Sequence, residues 1–464
     1  MIKNKGNKFK IYYIFILMIL FSLSGCGKTA AGAKAATESG DKDNKPLFTD
    51  RELTYEYDEA GAAKIRLDGD KADISFPDEI DRDILTTETS KERGLIINIK
   101  GAGTFIFEGE SENTQIVVNA DDEAKVELVL NSVNITSKSS ACIYIQNADK
   151  ALVNLPEGSV STLSDTGDTY MGNTTIESVI YSEDDIVFHG TGKLVLNAGY
   201  KHGIISENDL KILGCDMLIA ANKTALCADD SARLFEAKLD LTAGVDGINV
   251  GKGFFYEKDS DIVVKCSDDA IHSVKELTVE GGNIEIPECR EGFEGHDVLI
   301  ADGRIKVHSV DDDINAFGKD GPKPCLTVKG GELELFSEGD CLDSNGSIYI
   351  EGGKITLLSA AEDDDGAVDA VDGFYLNGGE LLMLEKSGVT GRINAKSAMK
   401  YIACDLNERF PEGTEIKIKD EKDNEFEKII ATVDFSSVFY SSPKINAGKF
   451  RIITGNKEKT IEVK

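Results

Sequence analysis

The sequence predicts an all-β fold, a parallel β-helix closed at its C-terminal end by a small antiparallel cap. Three observations predict it: a motif of two short strands around a Gly-Gly pair, a marker that recurs at solenoid spacing, and a composition with 45 Gly, 8 Pro and no Trp. Apolar residues alternate with polar ones in short runs, as strands with one buried face require. The 464 residues could hold several ordinary domains, but internal repetition favours one solenoid.

The Gly-Gly motif occurs four times in nearly the same form. Its copies occupy residues 277–286, 326–335, 348–357 and 374–383, and weaker copies begin at Val298, Leu210 and Ile186. Each copy consists of a short strand, a turn at the two glycines and a second short strand, with apolar side chains at every second position. Each copy therefore predicts two consecutive strands of one coil.

The second marker is an acidic or small pair followed by a large apolar residue. That apolar residue is Ile204, Leu226, Ile248, Ile271, Phe293, Ile314, Leu342 and Val368 in turn. The spacing of about 21 to about 28 residues is typical of solenoids and leaves room for three short strands per repeat. A leucine-rich repeat would need a Leu/Asn signature that is absent here, and a β-propeller would need about twice this period.

The first 25 residues are predicted to be a signal peptide. Four lysines precede an apolar run at residues 11–23 that is too short to span a membrane. The run ends in Leu23-Ser24-Gly25-Cys26, which resembles the lipobox of bacterial lipoproteins and implies an acyl anchor on Cys26. An ordinary secretory signal cut elsewhere is the alternative. Residues 26–46, rich in Ala, Gly and Lys, are predicted to be a flexible tether.

Three further segments complete the predicted organisation. Residues 47–130 are an N-terminal β segment and cap, residues 131–395 are the parallel β-helix, and residues 396–464 are a C-terminal β cap. Within the last segment, alternating stretches predict antiparallel strands, because the open end of the helix would otherwise be an exposed sheet edge.

Seven stretches between residues 95 and 455 occur in the order found in a known family. They are residues 129–135, 143–148, 180–186, 190–198, 203–212, 246–249 and 435–443. In succession they resemble the secreted carbohydrate-binding proteins built on a pectate-lyase-like, right-handed, single-stranded β-helix, long catalogued as a domain of unknown function. The resemblance implies a calcium-bearing helix that binds plant or acidic polysaccharide without established catalysis. The chain departs from the family's Asp-Gly-Ile at His202-Gly203-Ile204 and Thr224-Ala225-Leu226.

Acidic residues recur at fixed positions beside the marker. The net charge of −32 disfavours nucleic acid and suits divalent cations. The same position on successive coils lies about 4.8 Å apart, where stacked carboxylates repel and Ca²⁺, which takes six to eight oxygens, relieves the repulsion. The predicted calcium ligands are Asp246, Asp269, Glu291, Asp312, Asp340, Asp343 and Asp369. The alternative is that these acids are solvated turn residues.

The predicted function is that of a non-catalytic, calcium-dependent polysaccharide-binding lipoprotein on the extracellular face of a bacterial membrane. Its predicted partners are an acidic or plant cell-wall glycan and the lipid bilayer, with no nucleic acid; the sugar-contacting residues stay unassigned. One alternative is a calcium-dependent uronan lyase acting by β-elimination, which needs a base of lowered pKa. Its candidate bases are Lys201, Lys223, Lys252 and Lys275, but neighbouring carboxylates would raise their pKa. The other alternative is a surface scaffold or adhesin with a protein partner.

Overall fold

The computed structural model describes residues 46–78, 81–166, 176–319, 321–361, 366–386 and 393–463. The chain divides into a unit Met1–Thr49, of which only the last four residues are described, and a unit Asp50–Lys464. The predicted signal peptide, the lipidation site Cys26 and nearly all of the predicted tether lie outside the described residues. Within the described ranges, no helix reaches the length and apolarity of a membrane span.

The described strands between Gly94 and Glu385 form a parallel β-solenoid of about twelve coils, which confirms the predicted fold class. Each coil contributes a strand to each of three faces, and each strand pairs in parallel with its counterpart on the next coil. Backbone hydrogen bonds of the described strands are therefore satisfied between coils, and a strand with a coil on either side has both of its edges paired.

The three faces are defined by their strands. The first face consists of Gly94–Ile99, Thr114–Asn119, Ile143–Asn147, Ser178–Ser182, His202–Ser206, Leu226–Ala228, Ile248–Val250, the openings of the long strands Asp269–Cys289 and Glu291–Ser309, Ile314–Ala316, Leu342–Ser344 and Val368–Ala370. The second face consists of the first parts of Gly103–Ser111 and Lys125–Ser137, then Lys150–Leu155, Ile186–Gly190, Asp209–Leu213, Ser231–Phe235, Phe254–Lys258, the middles of the two long strands, Cys325–Val328, Ser347–Ile350 and Gly373–Leu376. The third face consists of the ends of Gly103–Ser111 and Lys125–Ser137, then Val160–Asp165, Lys193–Ala198, Asp216–Ala221, Lys238–Ala243, Asp261–Lys265, the ends of the two long strands, Glu332–Ser337, Lys354–Ser359 and Glu380–Glu385.

The parallel coils begin at Gly94, ahead of the predicted boundary at residue 131. The strands Gly103–Ser111 and Lys125–Ser137 each run through two faces without a Gly-Gly turn, so the repeat motif does not reveal them. Before them lie a hairpin of Ala63–Asp68 and Lys71–Ser75, the short 3-10 helix Arg82–Ile84, and Leu85–Ser90, which pairs antiparallel with the first coil.

Antiparallel strands close the C-terminal end, as the sequence predicts. Phe435–Ser441 pairs antiparallel with Glu380–Glu385 of the last coil and with Tyr401–Phe410. A separate four-stranded sheet follows in the order Glu425–Ile430, Glu415–Asp420, Gly448–Thr454 and Lys457–Val463. We call these six strands the C-terminal cap.

The solenoid interior is filled by apolar side chains at alternate strand positions. The marker residues stack on one another in consecutive coils, for example Ile248 on Ile271 and Ile271 on Phe293, and all three are fully buried. The Gly-Gly pairs form the corner between the second and third faces. At Gly353 the backbone has φ +87°, and a Cβ there would lie 2.9 Å from the carbonyl oxygen of Gly330 on the preceding coil. The corner therefore requires glycine for both conformation and close approach.

Candidate functional site

The acidic residues beside the marker form a column on the outside of the first face. The strand register stacks Asp269 on Glu291 and, one position after the marker, Asn315 on Asp343 and Asp343 on Asp369. Alternation places the residue one position after the buried marker on the outer side of the strand, whereas Asp269 and Glu291, two positions before the marker, are themselves largely buried. The register predicted from the marker is therefore the register of the structure.

The first carboxylate group consists of Asp269, Glu291 and Glu294, whose oxygens lie within 4.8 Å of one another. Asp269 and Glu291 are only 8% and 6% exposed. Burial, together with the neighbouring carboxylates, raises the pKa of Asp269 and of Glu291 above its ordinary value. Three carboxylates in this little space carry a charge that a proton or a cation must offset.

One arginine offsets part of that charge. The Arg290 guanidinium contacts Asp269 at 3.0 Å and Asp311 at 2.9 Å, and it also pairs with Glu291 and Asp268. Although burial acts to lower it, these carboxylates raise the pKa of Arg290 above its ordinary value. Arg290 is therefore a permanent cation that joins three successive coils.

The second carboxylate group consists of Asp340, Asp343 and Asp369, again with oxygens within 4.8 Å of one another. The Asp340 side chain accepts a hydrogen bond of 2.7 Å from the Gly366 amide. Burial first, and the charge of Asp369 second, raise the pKa of Asp343 to about 6.

Asp312 and Asn315 lie between the two groups. Asp312 accepts the backbone amide of Asp340 at 3.1 Å, and burial raises the pKa of its carboxyl to about 8. Asn315 is 8% exposed and donates its side-chain amide to Glu291 at 3.2 Å. The Asn315 amide oxygen is buried and has no hydrogen-bond partner among the described residues. A buried oxygen of this kind carries a desolvation cost that a bound cation would remove.

Of the seven predicted ligands, five belong to the two groups: Asp269, Glu291, Asp340, Asp343 and Asp369. Asp246 lies further along the column, where its carboxylate accepts hydrogen bonds from Asn249 at 3.0 Å and Thr224 at 3.3 Å. Asp312 belongs to neither group. Glu294 joins the first group without having been predicted as a ligand, although its place one residue after the marker is the signal that identifies it.

A second cluster of charge lies on the second face, where sequence reasoning did not place one. Residues 50–57, which we call the N-terminal strap, cross this face. Glu52 of the strap is fully buried; Lys211 contacts both of its carboxylate oxygens, at 3.1 and 3.2 Å, and Lys150 also pairs with it. Burial lowers the pKa of Lys211. This lysine is thus covered by the strap and lies on a different face from the acidic column.

Two of the candidate lyase bases have the raised pKa that we expect from neighbouring carboxylates. Lys201 pairs with Glu177 and Lys252 with Asp229, and these hydrogen bonds raise the pKa of both lysines. A raised pKa keeps an amine protonated and unable to accept a proton.

The coils and the column together define a parallel β-solenoid with an acidic outer face. The family model described as carbohydrate-binding domain-containing protein matches residues 93–290 and 262–425, and the chain belongs to this family. A carbohydrate-binding domain-containing protein of Acetivibrio thermocellus is 29% identical over 298 residues, covering 62% of this chain and 94% of that protein. A solved structure titled as the polysaccharide lyase-like protein from C. thermocellum, gadolinium derivative, shows 31% identity and a TM-score of 0.44, covering 48% of this chain and 90% of that one.

Proposed function

We propose that the chain binds acidic polysaccharide in a calcium-dependent way, without cleaving it, on the outer face of a bacterial membrane. The observation that carries this proposal is the pair of carboxylate groups on the first face, with the unpartnered oxygen of Asn315 between them. Membership of a carbohydrate-binding family supports a glycan as the partner.

Calcium fits the donor set of the column. Asp340, Asp343 and Asp369 supply hard carboxylate oxygens within reach of one ion, and Asn315 supplies an amide oxygen next to them. Ca²⁺ accepts six to eight such ligands in flexible geometry, whereas Mg²⁺ demands a strict octahedron. When bound, the ion offers open coordination positions to a carboxylate of the ligand. A uronate-containing chain laid along this regular face would meet those positions at successive sugars.

Binding without cleavage follows from the basic groups near the column. β-Elimination needs a base that can lose its proton, and Arg290 is held charged by four carboxylates. Lys211, whose pKa is lowered, lies under the N-terminal strap on the second face. We therefore assign the column to recognition and no catalytic residue to the chain.

Attachment to the membrane is part of the same proposal and depends on Cys26. An acyl anchor of several chains at that position would hold the protein stably, whereas a single chain binds marginally. Mass spectrometry of the mature N-terminal peptide tests this directly. A diacylglyceryl mass on Cys26 is expected, and an unmodified peptide that begins elsewhere would contradict the anchor.

Affinity electrophoresis of the full chain in detergent tests the binding proposal. Gels contain polygalacturonate or no glycan, each with calcium or with chelator. We expect polygalacturonate to retard the chain only with calcium, without new ultraviolet absorbance from unsaturated sugar ends. Asp343→Asn should abolish most of the retardation, while Asp240→Asn, the same change at an exposed site on the third face, should leave it intact. Retardation unaffected by chelator would refute the calcium site, and rising absorbance would establish the lyase.

A further inference from the structure

A cleft of about 240 Å³ lies where the third face of the last two coils meets the C-terminal cap. Leu358 and Leu382 line it on the side of the solenoid, and Ile429 and Ile430 line it on the side of the cap. It is smaller than the usual pocket for a drug-sized ligand, which holds roughly 300–1,000 Å³. Its size suits a single small ring.

The cleft arises because the outward side chains of the third face change from charged to uncharged and apolar in the last coils. One outward column of this face is charged in the middle coils, with Glu285, Lys306 and Glu334, and then becomes Thr356 and Leu382. The cap packs against this apolar end and covers it incompletely. Ile430 remains 53% exposed at the edge of the cleft.

A buried tyrosine lines this cleft. Tyr440 pairs with Leu382 across the antiparallel strands, lines the cleft and is 1% exposed. Its hydroxyl makes no hydrogen bond of good geometry among the described residues, although the side chains of Ser442 and Glu427 lie near it. Burial first, and the nearby charges of Glu380 and Glu427 after it, raise the pKa of Tyr440 to about 12. The hydroxyl therefore stays protonated, and a ligand hydroxyl would satisfy it.

The charges around the cleft are of both signs. Glu334, Glu380 and Glu427 line the cleft together with Lys354 and Lys428, and the two lysines pair with Glu332 and Glu415 beside it. The rim therefore mixes both signs and lacks the concentrated negative charge of the first face. Carboxylates accept hydrogen bonds from hydroxyl groups, and ammonium groups donate to ring and hydroxyl oxygens. Aliphatic side chains contact the C–H face of a sugar ring. This combination fits an uncharged polyol ring better than a uronate.

We propose that the cleft between the third face and the C-terminal cap binds one ring of a neutral polysaccharide, with Tyr440, Glu380 and Glu427 as its polar contacts. The site is separate from the acidic column and needs no calcium. Its cap side includes residues 427–440, which extend beyond the part of the chain matched by the family model. The chain would thus hold uronate-containing and neutral sugars at two places.

Calorimetric titration of the full chain in chelator, with xylohexaose and with cellohexaose, tests this site. We expect at least one of the two oligosaccharides to bind. Tyr440→Phe and Glu427→Gln should each weaken that binding by about tenfold, the usual effect of losing one hydrogen bond. The matched controls are Tyr349→Phe on the second face and Glu285→Gln on the third, both outside the cleft. These should bind like the unmodified chain.

Two results would overturn the proposal: neither oligosaccharide binds, or both cleft variants bind as tightly as the controls. Because Tyr440 is buried and its change could disturb folding, Glu427→Gln, half-buried on a cap strand, decides the matter if Tyr440→Phe unfolds. Retardation by polygalacturonate in calcium should remain in both variants. If the unmodified chain is not retarded by polygalacturonate in calcium, the calcium-dependent function is refuted, but the proposal for the cleft is unaffected.

Discussion

Asn315 donates its side-chain amide to Glu291 of the preceding coil at 3.2 Å, while its own amide oxygen is buried without a partner among the described residues. The hydrogen bond fixes which end of the amide faces the first carboxylate group. The oxygen is left unpartnered, and Asn315 lies beside Asp343 of the second group in the strand register. This relationship distinguishes Asn315 from an ordinary turn asparagine.

Asn315→Ala should therefore reduce the stabilisation that calcium confers. A ligand at about 100 times its dissociation constant adds about 2.7 kcal/mol to stability, and loss of one donor oxygen should remove a large part of this. Melting temperatures with calcium and with chelator measure the effect. Asn249→Ala is the control, because Asn249 occupies the same column and donates to Asp246 outside the two groups. Equal loss of the calcium effect in both variants would contradict a site at Asn315.

Glu257 predicts a dependence of stability on pH. Its carboxylate is fully buried, and burial raises its pKa to about 8 although the Ser260 amide donates to it. An unfolded glutamate titrates near 4.3, so the folded chain holds the extra proton between about pH 4 and pH 8. The stability contributed by this group is complete below that window and decreases as pH rises through it.

Glu257→Gln should remove that part of the pH dependence. At pH 9 the free energy of unfolding of the variant should exceed that of the unmodified chain by an amount on the order of a few kcal/mol, which appears as a higher melting temperature. Near pH 5 the two melting temperatures should be similar. Glu285→Gln, an exposed site, should keep the original slope. Parallel curves for Glu257→Gln and the unmodified chain would show that the Glu257 carboxylate is not protonated when folded.

Glu52 should be essential for holding the N-terminal strap. Glu52→Gln leaves Lys211 buried without its counter-charge, and breaking a buried pair in this way costs about 3–5 kcal/mol. Amide hydrogen exchange of residues 50–57 should become much faster. Glu59→Gln, which removes an exposed pair with Lys64, should change exchange little. Lys211→Met combined with Glu52→Gln should restore part of the protection; if it restores none, the pair is not what holds the strap.

Gly353→Ala should destabilise the chain through contact between coils. A residue other than glycine at positive φ costs about 1–3 kcal/mol, and here the added Cβ also meets the Gly330 oxygen at 2.9 Å. Gly413→Ala has nearly the same φ, +82°, with nothing within 4 Å, so it carries the backbone cost alone. Denaturant unfolding of both variants separates the two costs. An equal loss of stability would mean that the coils yield at the corner without penalty.

Much of the first face could be predicted from the sequence, because the marker repeats and each coil has the same construction. Ile271 and Phe293 stack as their alignment predicts, and the acids beside them follow. The position of the Arg290 guanidinium among carboxylates of three coils could not be predicted, since it depends on side-chain reach between coils. Neither could the contact of Glu52 with Lys211, because these residues are 159 positions apart and no repeat relates them.

The N-terminal strap also changes how the solenoid should come apart. In a solenoid each coil contacts only its neighbours, so unfolding can begin at an end and proceed coil by coil. The strap, however, pairs with Glu127 of the second coil through Arg51, with Lys150 of the third and with Lys211 of the fifth. These coils therefore share one covalent segment as a common partner. We expect these coils to unfold together as a single cooperative unit. The coils that come after them in the chain can unfold one by one.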